Sequence, residues 1–141
     1  MATFTQIAGT RSVTSSQVET EAAPDATNPP AGAPSLVGLE SISVYLVAPG
    51  AETINSLSGQ VDIWIYDPDR RLAPSLVLLV PPGAAGQTKV LLASFKITRK
   101  AGIFVPLCNG IDMAGGTAVT LEILCKPDAV SYGAPNRNSG F

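Results

Sequence analysis

The polar residues closest to a chemical constellation lie in the stretch YDPDRR, residues 66–71. Asp67 and Asp69 could supply oxygen ligands to Ca²⁺ or act as an acid and base pair, since both uses need two carboxylates close together. The same letters are typical of a turn, because Asp67 can bond its own backbone and Pro68 fixes φ. We therefore expect a turn here, with one carboxylate neutralised by a neighbouring arginine.

Other reactive groups are scarce in the sequence. It contains no histidine, which excludes His-dependent triads and imidazole metal sites. Cys108 and Cys125 lack the CxxC spacing of zinc sites, and their apolar neighbours indicate buried, reduced thiols, with a disulfide between paired strands as the alternative. The segment GAAGQTK, residues 83–89, lacks the GxxxxGK[ST] order of a phosphate-binding loop. The sequence thus predicts neither an enzyme nor a cofactor.

Two aromatic residues raise a second kind of chemistry. Trp64 and Tyr66 alternate with Asp62 along one stretch, and aromatic rings on a sheet face can stack on sugars. Aromatic residues make up only 6% of the chain, which favours packing of this face beneath a loop, an arm or a second sheet over a sugar platform. A receptor- or glycan-binding β-domain of a fibre or tail remains the alternative function, and it requires an exposed aromatic platform.

Composition and charge limit the partners. Charged residues make up 14% of the chain, against about 25% in a typical protein. Such a chain is either a tight β-protein with a Ser/Thr/Gly surface or a protein largely covered by partners. The net charge is −2, and the sequence has no stretch rich in Lys and Arg. We therefore expect no nucleic-acid partner. Apolar runs such as LVLLV are far shorter than the roughly 20 residues that span a bilayer, so we expect no membrane partner.

Six stretches in the middle of the chain have the alternation or the apolar runs of β-strands. They are LESISVYLV, QVDIWIYD, PSLVLLVPP, KVLLASFKI, GIFVPLC and TAVTLEILC. Gly/Pro turns separate them, which favours an all-β fold, an antiparallel β-sandwich or jelly roll. The N-terminal stretch TFTQIAGTRSVTSSQVE could add one or two edge strands, for about 6–8 in total. Pro106 has no N–H to donate and predicts an edge position or a bulge.

Composition divides the chain into three regions: an extended N-terminal arm (1–36), a β-sandwich core (37–125) and a C-terminal tail (126–141). The arm contains EAAPDATNPPAGAPS, which has no large apolar side chain to offset the entropy of ordering it. We therefore expect another subunit to order it. The residues predicted to contact that partner are Pro24, Pro29, Pro30 and Pro34 of the arm, with Tyr132 and Phe141 of the tail.

In this organisation the chain resembles the small β-sandwich decoration proteins of tailed bacteriophages. The resemblance lies in the arm TSSQVETEAAPDATNPPAGAPS before a compact β-core, in the low charge and in the Gly/Asn-rich tail. It implies a structural virion protein on the capsid surface, made in the host cytoplasm. As a cement subunit it would bind across capsomers to the major capsid protein and to copies of itself, often as a trimer. A small main coat protein is a further alternative of the same class.

Overall fold

The computed structural model describes residues 2–50, 52–55, 59–67, 75–115 and 118–128. These residues form eight β-strands and one short 3-10 helix, Pro82–Ala84. The strands are β1 (Thr3–Gln6), β2 (Ser12–Gln17), β3 (Leu39–Val47), β4 (Gln60–Tyr66), β5 (Leu76–Leu79), β6 (Lys89–Lys96), β7 (Ile103–Asn109) and β8 (Val119–Pro127). The predicted all-β class is confirmed.

The strands pair into two antiparallel sheets that pack as a sandwich. The first sheet has the order β1–β2–β8–β3–β6, and the second has the order β5–β4–β7. All six strands predicted in the middle of the chain are present, and β1 and β2 add two from the N-terminal stretch. Two strands of the first sheet therefore come from the region assigned to the arm. The division of the chain at residues 36 and 125 stays a prediction.

The core lies between the two sheets and follows the alternation of the sequence. Ile42, Val44 and Leu46 of β3 are fully buried, as are Leu121 and Ile123 of β8. Burying each such side chain contributes about 1.5–3 kcal/mol relative to leaving it exposed. Apolar packing between the sheets therefore supplies most of the stabilisation of this fold.

The second sheet has β7 at one edge, and Pro106 lies in this strand, as its missing N–H predicted. The side chain of Gln17, at the end of β2, supplies hydrogen-bond partners to the backbone groups in the middle of this edge. Its Nε2 donates to the Pro106 carbonyl oxygen at 2.7 Å and to Ser15 Oγ at 2.8 Å. Its Oε1 accepts the Cys108 N–H at 2.7 Å. One carboxamide thus replaces a peptide group of a neighbouring strand and joins the two sheets.

Gln17 offers a direct test of this link, because it is only 1% exposed. Gln17→Ala would leave a buried carbonyl and a buried N–H of β7 without partners. We expect the free energy of unfolding to fall by about 2–4 kcal/mol in urea titrations. The matched control is Gln87→Ala at an exposed position, where the change should stay within about 0.5 kcal/mol. Equal losses in both variants would contradict the bridging role.

Candidate interaction surfaces

Residues 19–36, here called the proline segment, run along the free edge of β7. At one end the Glu21 N–H donates to the Cys108 carbonyl oxygen at 2.9 Å. At the other end the Leu36 N–H donates to the Gly102 carbonyl oxygen, and the Phe104 N–H donates to the Pro34 carbonyl oxygen, both at 2.9 Å. Between these two attachments the side chain of Gln17 occupies the edge. The proline segment therefore takes the place of a strand beside β7.

The proline segment also covers the outer face of the second sheet. Phe104 faces the first sheet, where its ring centroid lies 5.9 Å from that of Phe95. Strand alternation then places Leu107 and Tyr66 on the opposite, outer face, yet both are buried. The Tyr66 hydroxyl donates to the Asp25 carbonyl oxygen at 2.5 Å. The middle of the proline segment is thus held over this face by a side-chain hydrogen bond.

A concavity of about 630 Å³ lies beneath the middle of the proline segment. Pro24, Pro29 and Pro30 line it together with Val18 and Leu107. Three of the four arm prolines predicted to contact a partner therefore share one apolar hollow. It forms because the chain leaves the β7 edge between its two attachments, where prolines have no N–H to donate.

The remaining predicted contact residues have different fates. Pro34 is buried, and its carbonyl group belongs to the attachment on β7. Tyr132 and Phe141 lie outside the described residues. The structure thus brings Pro24, Pro29 and Pro30 together and separates Pro34 from them.

The expectation that only another subunit could order residues 21–35 is corrected by these contacts. These residues have few large apolar side chains to bury. Their backbone N–H and C=O groups nevertheless find partners on the open edge of β7. The segment is therefore docked on its own sheet.

The aromatic platform required for glycan binding is not formed at Tyr66. This side chain is 5% exposed and lies under the proline segment. Trp64 is partly buried and packs against the core. Of the two arrangements open from the sequence, packing of this face beneath an arm is the one observed at Tyr66.

The carboxylate of Asp67 forms an ion pair with Arg99, which lies three residues after the end of β6. The sequence had suggested a nearer arginine from the DPDRR stretch. Asp69, Arg70 and Arg71 lie outside the described residues, so the predicted turn stays a prediction. Asp67 follows β4 directly, and the ion pair ties this strand end to the first sheet.

A second surface lies on the opposite side of the sandwich, where both sheets end, at β5 and β6. Four of its large apolar side chains are exposed: Leu76, Val77 and Leu79 of β5, with Leu91 of β6. Leu79 is the most exposed, at 69%. We call this set the β5–β6 side. Val77 and Leu79 lie on the outer face of the second sheet, whereas Leu91, paired with Tyr45, lies on the outer face of the first sheet. The exposed apolar side chains that lie together are therefore those of β5.

Sequence reasoning did not select the β5–β6 side, although one signal was present. The run LVLL of β5 is apolar at every position, whereas an edge strand with one solvated face alternates with polar residues. The sequence predicted this run as a short strand and assigned it no place in a sheet. Its place at the edge of the sheet became visible only with the strand order.

Both cysteines are free thiols. The prediction of reduced cysteines is therefore confirmed, and the alternative of a disulfide is not observed. Cys108 is buried in β7, and desolvation raises its pKa to about 12, assisted by the negative charges of Glu21 and Asp62. Cys125 is half-buried, and burial raises its pKa as well, opposed by Arg11. Neither environment favours the thiolate that a nucleophilic cysteine needs.

Alkylation should separate the two thiols. At about pH 8, a pKa of about 12 leaves roughly one Cys108 molecule in ten thousand as thiolate. We expect iodoacetamide to modify Cys125 first and to reach Cys108 only after unfolding, as followed by peptide mass spectrometry. A Cys125→Ser variant isolates the Cys108 rate. Equal rates for both thiols in the folded protein would contradict the buried position.

Tyr66→Phe tests how the proline segment is held. Losing the hydrogen bond to Asp25 should destabilise the docked segment by about 1 kcal/mol, which raises its open population about fivefold. Endoproteinase Asp-N, which cuts before Asp25, should cleave the variant about fivefold faster than the native protein. The control Tyr45→Phe changes a tyrosine of the first sheet and should leave the rate unchanged. A native protein cut there as fast as an unfolded chain would show that the segment is not docked.

Two further observations come from the part of the chain that the structure describes. It contains no group of three or more His, Cys, Asp or Glu side chains placed to hold a metal ion. It also contains no helix long and apolar enough to cross a membrane.

Comparison with protein families, with curated proteins and with solved structures found no match to this chain. Its function must therefore be argued from its surfaces.

Proposed function

We propose that this chain is a structural virion protein, a cement or decoration subunit that stabilises an icosahedral shell. It binds across capsomers on the capsid surface, and its partners are the major capsid protein and copies of itself. The observation that carries the proposal is the β5–β6 side, where the apolar side chains are exposed and both sheets end.

The β5–β6 side is the surface of this molecule best suited to a protein partner. An exposed apolar edge strand is a template for pairing with another chain, and exposed apolar patches mark places where partners bind. Leu76, Val77 and Leu79 bring three such side chains to one short strand. Apolar contacts of this kind persist at high ionic strength, because salt screens interactions between charges but does not weaken the burial of apolar surface. This property suits a subunit that holds a shell together.

The strand order gives a second line of support. If the proline segment is counted as a strand, the second sheet has the order proline segment–β7–β4–β5. The first sheet contains β2–β8–β3–β6, with β1 added at its edge. Two four-membered sheets connected in this way correspond to a jelly roll, an architecture of many viral capsid domains and also of lectins and cupins. Because one fold hosts several functions, the surface argument carries the proposal and the fold supports it.

The arm has a different place in this function from the one that the sequence predicted. Its attachments on β7 show a segment that belongs to its own subunit. The concavity lined by Pro24, Pro29 and Pro30 still presents those prolines to a neighbour. The trimer that the resemblance implies, and contacts made by Tyr132 and Phe141, remain predictions.

Immunogold electron microscopy of virus particles from the source material tests the virion role. An antibody raised against the recombinant protein should label capsids at regular spacing, and antibody pre-absorbed with that protein should not. Label confined to fibres or tails would instead support the receptor-binding alternative. Intact particles without label would overturn the proposal.

Negative-stain microscopy of the purified protein separates cement from coat. A cement subunit should remain as single subunits or small oligomers when it is expressed alone, because it needs a preformed shell. Closed shells assembled from this chain alone would favour the main coat protein, and would contradict the cement role.

A further inference from the structure

The two sheets have four edges, and three of them are protected by different means. The edge of β7 is covered by the proline segment and by Gln17. β1 is only four residues long, and its exposed side chains are polar. β6 has exposed lysines, Lys89 and Lys96, at its two ends and a bulge at Leu92. Short strands, terminal lysines and bulges are common ways of preventing a sheet edge from pairing.

β5 is as short as β1, but among the residues described it has no terminal lysine, no bulge and no segment paired along its free edge. Its four residues, LVLL, include no proline and no charged side chain, and β4 is its neighbour on one side only. No other strand of the described chain pairs with its free edge. It is therefore the one sheet edge, among the residues described, that is both apolar and open.

The ladder with β4 determines which groups of β5 face outward. The Val80 N–H donates to the Gly59 carbonyl oxygen, and backbone hydrogen bonding alternates along an antiparallel strand. The N–H and C=O groups of Leu78 therefore face β4, and those of Val77 and Leu79 face away from it. The side chains of Val77 and Leu79 share the outer face of the sheet, since their partners in β4 alternate in the same way.

We propose that β5 pairs with β5 of a second copy of this chain, antiparallel and about a two-fold axis beside Leu78. In this register Val77 of each copy lies opposite Leu79 of the other. The outward groups then form about four backbone hydrogen bonds. The two three-stranded sheets join into one continuous sheet across the interface. The proposal rests on the proposed function and deepens it, because it names the partner that covers the β5 part of the β5–β6 side and leaves Leu91 of β6 outside the contact.

A second copy fits this edge better than an unrelated surface does. Unpaired peptide groups in an apolar setting are satisfied by another strand, and two identical uncharged strands can approach without repulsion. The antiparallel register also brings Val77 and Leu79 side chains of the two copies together on one face. A C2 contact of this kind is self-complementary, as two-fold interfaces require.

The contact is small, which sets its expected strength. One four-residue strand from each copy buries less surface than a standard stable interface. We expect a dimer with a Kd on the order of 1–100 µM. Weak pairing suits a shell subunit, in which each contact is repeated many times.

The experiment combines sedimentation velocity with amide hydrogen exchange on the full-length protein. Concentrations from about 1 µM to about 500 µM bracket the expected Kd. The first variant is Val77→Pro, which removes an outward N–H without removing a bond to β4. The second is Leu79→Lys, which places a charge at the most exposed position of the strand. The matched control, Leu91→Lys, adds the same charge to β6 at an exposed position (47%, against 69% for Leu79) on the other sheet.

The native protein should dimerise with concentration, and the amides of Val77 and Leu79 should become protected as it does so. Both β5 variants should raise the Kd at least about tenfold and abolish that protection. Leu91→Lys should dimerise like the native protein. Circular dichroism and thermal melts establish whether each variant is folded. If Val77→Pro does not fold, the result for Leu79→Lys decides the outcome.

Several outcomes would overturn the pairing: a native monomer over the whole range, a trimer as the final species, or dimers that survive Leu79→Lys. Loss of dimers in Leu91→Lys alone would also overturn it. These results are separable from the virion role. A monomer that labels capsids removes the pairing and leaves the proposed function, whereas a dimer absent from particles removes the function and leaves the pairing.

Discussion

The constraint on which this structure depends is the need to satisfy the backbone at the edges of two open sheets. A sandwich buries its side chains between the sheets, but the peptide groups of each edge strand still need partners. At β7 the requirement is met within the chain: Glu21 and Leu36 attach the proline segment at two points, and Gln17 fills the space between them. This arrangement fixes the path of the first third of the chain and the burial of the outer face beneath it.

Proline content and edge protection are connected here. A chain with prolines at 24, 29 and 30 cannot donate a full set of hydrogen bonds to a strand, so it leaves the edge and returns at Pro34. A concavity lies where the segment is away from the edge. The Tyr66 hydroxyl fixes this part of the segment by donating a hydrogen bond to the Asp25 carbonyl oxygen. The same residues that prevent a regular strand therefore line a concavity of about 630 Å³.

The two sides of the sandwich are consequently unlike. The edge of β7 is covered by its own chain, whereas the apolar side chains of β5 are exposed and its free edge has no strand partner among the residues described. The proposed virion role rests on this asymmetry, together with the low share of charged residues.

The sequence by itself determined the fold class, six strands and much of the core, because the alternation at residues such as Val44 and Leu121 depends only on neighbours along the chain. It also predicted an edge position or a bulge at Pro106, and the edge position is the one observed. Tertiary structure alone decided that the proline segment docks on β7 and that β5 is an open edge. Both depend on which strands lie side by side. Alternation along the chain determines which face of a strand a side chain occupies, but it does not determine which strand lies next to it.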